Sequence, residues 1–144
     1  MSMHVSFALF ADAANLSQEG KLNILGVFDA VQVATLPTIH PRATLVVRLK
    51  GARSDAGTHT MGLRWLNPQG TELWSSTGEL NIGDAPPGAG DMDLPLIATL
   101  DLPIDMPGRY TMAVALDGQP TAEAPVQVNG IVSPVMPQRG GLVS

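Results

Sequence analysis

The chain has 144 residues, a net charge of −5, eight Lys plus Arg, 44% hydrophobic and 15% charged residues, and no Cys. That length suits one domain whose core needs no metal or disulfide. The scattered cations exclude a basic stripe for nucleic acid, and the missing Cys excludes disulfides, thiolate chemistry and Cys-zinc sites. No apolar run reaches about 18 residues, and Met1-Ser2-Met3-His4 lacks a basic n-region. Neither membrane insertion nor a secretory signal is expected, which points to the cytoplasm.

The hydrophobic period is 2 almost everywhere, the mark of half-buried strands. Val5, Phe7 and Leu9 fall on one face of the first run, with Ala8 and Phe10 on the other. The Ala-rich stretch Phe10 to Leu16 is the best candidate for a helical turn, although it lies between two strand-like runs. Ser17-Gln18-Glu19-Gly20 makes a turn. Leu22, Ile24, Gly26 and Phe28 then alternate with Leu25, Val27 and Val31. Both faces of these first two strands are apolar, whereas a two-layer sandwich keeps only one face dry. Phe10, Leu25, Val27 and Val31 are therefore the expected interface residues, and a second copy in a closed dimer is the favoured cover.

Pro37 to Pro41 makes an irregular corner. Leu45, Val47 and Leu49 form the inward set of the next strand, and Ser54 to Gly57 closes it. Asn67-Pro68-Gln69-Gly70 is a hairpin turn with Pro at i+1 and a left-handed Gly for a bulge. Counting back from it pairs Asn67 with Thr71, Trp65 with Leu73 and Arg64 with Trp74. Met61, Leu63, Trp65 and Leu73 then face the core, and Trp74 covers the Arg64 guanidinium on the outer face. Pro86-Pro87-Gly88 marks the longest loop. Met92 to Leu102 and Tyr110 to Leu116 alternate as strands, separated by Pro107-Gly108 and followed by Asp117-Gly118.

Turn signals every 8 to 14 residues or so predict an all-β fold, an antiparallel β-sandwich of about eight strands with little or no helix. Its connections would be Greek-key, immunoglobulin-like or jelly-roll. The domain is placed at residues 1–128, with an extended tail at 129–144. In that tail Ile131, Val135 and Leu142 are apolar enough to serve an arm that docks on a neighbour, the other reading being a frayed terminus.

Little here suggests chemistry. His4, His40 and His59 are not spaced as a local metal site. Asp84, Asp91, Asp93, Asp101 and Asp105 gather in one region, and Asp91, Asp93, Asp101 and Asp105 are the alternative, an oxygen-ligand Ca²⁺ site. Turn aspartates also bond their own backbone, so no metal is expected. No Gly-x-Ser-x-Gly, phosphate loop or dinucleotide fingerprint occurs. The expectation is a non-catalytic module without cofactor that self-associates or joins a larger assembly. The alternative is a small-ligand or Ca²⁺ domain using residues 83–105.

The run Ala11-Asp12-Ala13-Ala14-Asn15, followed by Gly20-Lys21-Leu22-Asn23-Ile24-Leu25-Gly26-Val27-Phe28-Asp29, resembles a family of small bacterial all-β proteins of unknown function. Pro37, Leu45-Val46-Val47-Arg48-Leu49 and Gly108-Arg109-Tyr110 fit it too. The resemblance covers most of the first 128 residues, excludes the tail, and implies no activity or site residue. The Gly-x-Tyr start with Val114 to Gly118 after it is similar to the penultimate hairpin of many immunoglobulin-like sandwiches. There the Tyr bonds a backbone group at a corner.

Overall fold

Residues 3–83 and 91–130 are described by a computed structural model. The expected loop at 86–88, Asp84, and the tail residues Ile131, Val135 and Leu142 lie outside the described residues. The strands are β1 (His4–Leu16), β2 (Leu22–Phe28), β3 (Ala30–Val33), β4 (Thr38–Gly51), β5 (Gly57–Leu66), β6 (Glu72–Ile82), β7 (Met92–Ile104), β8 (Gly108–Leu116) and β9 (Gln119–Gly130). One 3-10 turn, Arg53–Asp55, joins β4 to β5. A four-stranded sheet runs β2-β1-β4-β7 and a five-stranded one β3-β9-β8-β5-β6. Pairing is antiparallel except for β3 on β9, which is parallel. No helix among the described residues is long and apolar enough to cross a membrane.

The turns form where their residues demand. Gly20 (φ +84°) closes the β1–β2 hairpin, its N–H donating to the Ser17 carbonyl at 2.9 Å. Asp117 (φ +50°) and Gly118 (φ +81°) make a two-residue turn between β8 and β9. Two left-handed central residues match the twist of the flanking strands. The Phe10 to Leu16 stretch is strand, not a helical turn: it pairs residue by residue with β2, and Asn15 accepts a side-chain bond from Asn23 at 3.0 Å.

The core lies between the sheets. Leu45, Val47 and Leu49 of β4 meet Tyr110, Met112, Val114 and Leu116 of β8, as the alternation predicts. Trp65 sits at the centre, stacked on Tyr110 at 5.2 Å and edge-on to Phe10 at 5.9 Å. The Tyr110 hydroxyl accepts the N–H groups of Asp105 (2.9 Å) and Met106 (3.0 Å) and donates to the Asp105 carboxylate at 2.7 Å. It thereby holds the corner before β8. The Tyr110 hydroxyl, with the Asn67 amide, keeps the Asp105 carboxyl below its ordinary value. Burial pushes the Tyr110 phenol up. Tyr110→Phe strands two N–H groups, and we expect it to lower unfolding stability by about 1–3 kcal/mol in urea titration. A loss under a few tenths would mean that water replaces the hydroxyl.

Three sequence expectations fail here for two physical reasons. First, bulges change parity, because an extra residue moves every later side chain to the opposite face. The register shifts between Val5 and Phe7, so Val5, Ala8 and Phe10 face inward together; Phe10 is a core residue and not an interface one. A second bulge at Leu73 pairs Trp65 with Trp74 and Leu66 with Glu72. Trp74 therefore packs against the core, and Arg64 instead pairs with Glu72 at 2.7 Å. Second, the chain changes sheets at Asp29, whose carbonyl accepts the Gln127 N–H at 2.7 Å. Val31 lies beyond that switch, opposite Val128 on β9, and packs against the core.

Candidate interaction face

Past the Ser6 bulge, Phe7, Leu9, Ala11 and Ala13 of β1 point away from the core. Pairing extends this face sideways in rows. Leu9, Val46 and Ile97 line up across β1, β4 and β7; Val27, Ala11, Thr44 and Thr99 line up across β2, β1, β4 and β7. Leu25 follows opposite Ala13. Ala11 and Val46 are fully buried yet are not members of the core cluster. Leu25 is 65% exposed, Val27 60% and Ile97 37%. The second apolar face expected from the sequence is thus present, centred on Val27 and Leu25 and without Phe10 and Val31.

At one end the face turns polar. Arg48 of β4 donates to Asp93 of β7 at 2.9 and 2.6 Å, and Lys50 lies 4.0 Å from the same carboxylate. The Arg48 hydrogen bonds hold the Asp93 carboxyl below its ordinary value, and Asp93 raises the guanidinium in return. A part-exposed pair of this kind is screened by solvent and adds little to stability.

The four acids considered for Ca²⁺ are not brought together. Asp93 is committed to Arg48, Asp101 accepts the Arg42 N–H at 2.9 Å inside the β4 irregularity, and Asp105 belongs to the Tyr110 corner. β7 separates Asp93 from Asp105, and a strand of that length spans roughly 40 Å. Asp91 is exposed just before β7. Among the described residues no group of three or more His, Asp or Glu is placed to hold a metal ion.

A feature not anticipated from the sequence lies on the outer side of the five-stranded sheet. Gly62, Ala113 and Ala115 sit side by side there, and with Arg64, Glu72 and Glu123 they line a trough of about 510 Å³. The readable signal is the small outward residue at alternate positions of β5 and β8. The Arg64 hydrogen bond holds the Glu72 carboxyl below its ordinary value.

The two sheets, mostly antiparallel and not closed into a barrel, make the fold a β-sandwich, with a buried tryptophan on β5 and a tyrosine corner before β8. Here β1, β4 and β7 form one sheet, and β9, β8, β5 and β6 the main part of the other. Within that class the chain belongs to DUF6941, a family of unknown function, which matches residues 6–129. The match takes in the Gly20 to Asp29 run singled out in the sequence. No curated protein matches the chain.

Proposed function

We propose that this chain is a non-catalytic interaction module that self-associates through the outer face of its four-stranded sheet. The supporting observation is the adjacent pair Leu25 and Val27, about two-thirds exposed on an edge strand, in a sheet face that also carries the part-exposed Leu9 and Ile97. Side chains of this kind gain about 1.5–3 kcal/mol each on full burial, so a few of them are enough to drive association. A two-fold dimer would bring β2 and its symmetry mate together, each covering the other's Val27. The Arg48–Asp93 pair would then sit at the polar rim.

Native mass spectrometry of the full chain tests this. We expect a multiple of the 15.1 kDa chain mass. Val27→Asp should return the mass to that of a single chain, because a carboxylate buried without a partner is strongly unfavourable. A wild-type protein that stays monomeric at micromolar concentration would refute self-association. An oligomer that survives Val27→Asp would move the interface elsewhere.

A further inference from the structure

His59 is the third residue of β5, at the end of the sandwich where the 3-10 turn and the β8–β9 turn meet. Its Nδ1 lies 2.8 Å from an Asp117 carboxylate oxygen, and its Nε2 lies against the Asp55 backbone carbonyl. A carboxylate and a carbonyl can only accept, and a neutral imidazole has only one N–H to donate. Both contacts are satisfied together only when both ring nitrogens carry protons. The side chain is 16% exposed, so water has little access to replace either bond.

Each partner is also anchored. The other Asp117 oxygen accepts the Thr60 N–H at 2.9 Å, while the Asp117 N–H donates to the Thr60 carbonyl at 2.7 Å. The Asp55 carboxylate accepts the Ala52 N–H at 2.7 Å, and the Asp55 N–H donates to the Ala52 carbonyl at 2.9 Å. The ring therefore closes a continuous chain from Ala52 through Asp55 and Asp117 to Thr60. We propose that His59 is a cationic clasp: doubly protonated at neutral pH, it ties the 3-10 turn to the β8–β9 turn, and the two turns part when it loses a proton.

Among the described residues, the charged groups facing the ring are Asp117, from the β8–β9 turn, and Asp55, from the 3-10 turn. Met3, Leu116, Gln119, Pro120 and Thr121, which line the rest of this hollow, are uncharged. The Asp117 carboxylate first, and then the Asp55 carbonyl, raise the His59 imidazole above its ordinary 6.5. The His59 hydrogen bond lowers the Asp117 carboxyl below 3.8. A raised group stabilises fully below its unfolded value and loses that contribution as pH rises through the folded one. The Asp117 share, being depressed, is present above 3.8 and lost only in stronger acid.

Nitrogen-15 NMR of the ring in the full chain reads the proton count directly. We expect both nitrogens protonated at pH 7. As the ring titrates on the alkaline side, the Ala52, Asp55 and Thr60 amides should lose exchange protection together, while Met112 in the core keeps its own. Asp117→Asn retains a residue that tolerates positive φ and keeps a neutral acceptor, so the variant folds. It should move the ring titration to lower pH. A ring with one proton at pH 7, turn amides indifferent to the titration, or an unmoved titration in Asp117→Asn would overturn the clasp.

Discussion

Trp65→Ala is expected to remove about 3–5 kcal/mol of unfolding stability, the largest loss of any single truncation in this molecule. Trp65 is fully buried, so truncation leaves a cavity between Phe10 and Tyr110, two rings held from opposite sheets. The indole N–H also donates to the Pro103 carbonyl at 2.8 Å, tying β5 to β7 across the sandwich. Losing it leaves a part-buried acceptor with no replacement donor. A domain of this size has about 5–15 kcal/mol in hand, so the variant sits near the edge of folding at 37 °C. Trp65→Phe keeps part of the ring and forfeits the N–H, and should fall between wild type and Ala. Urea titration followed by the remaining Trp74 should show the midpoint falling with the slope unchanged. A loss under 1 kcal/mol for Trp65→Ala would mean that the two sheets close over the gap.

Gly26→Val should cost roughly 2–5 kcal/mol, combining left-handed backbone strain with overpacking. Gly26 has φ +70°, and a Cβ there would lie 2.8 Å from the Asp12 Cγ and 3.1 Å from its Cβ. The Asp12 side chain lies over the bare Cα of its partner position on β2, so two separate reasons demand glycine. They can be separated. Gly26→Ala in an Asp12→Ala background removes the collision with the carboxyl group, leaves a tight 3.1 Å approach of the two Cβ atoms and keeps the backbone strain, so the double variant should be more stable than the sum of the two single changes. Strict additivity in thermal melts would show that the carboxylate is no obstacle. Gly26 and Asp12 thus account for each other across the β1–β2 pair.

Much of the fold is legible in the sequence because its strands obey a strict period. The inward sets of β4 and β8 are read correctly, and the Asn67 N–H meets the Thr71 carbonyl at 2.9 Å as the hairpin count requires. Tyr110 takes its corner as the Gly-x-Tyr pattern implies. What escapes is parity. Neither Ser6 nor Leu73 differs in type from an ordinary strand residue, yet each interrupts the count, and Phe10 and Trp74 change faces as a result. The sheet switch at Asp29 is hidden for a related reason: the apolar alternation continues from Val27 to Val31 while the backbone leaves one sheet for the other. The exposed face is half legible. Leu25 and Val27 are identified from alternation, but Ile97 joins them only through pairing, which one strand's sequence does not reveal.

The crossing at Asp29 also bears on how the chain is made. Ala30 pairs with Gln127, a residue synthesised 97 positions later. At about 5–20 residues per second, β3 waits roughly 5–20 s for its partner strand β9 to leave the ribosome. Non-local pairings of this kind also slow folding after release. During that interval the hairpin of β1 and β2 carries two dry surfaces under an incomplete covering sheet, so nascent chains on one messenger would be most prone to premature association before β9 emerges.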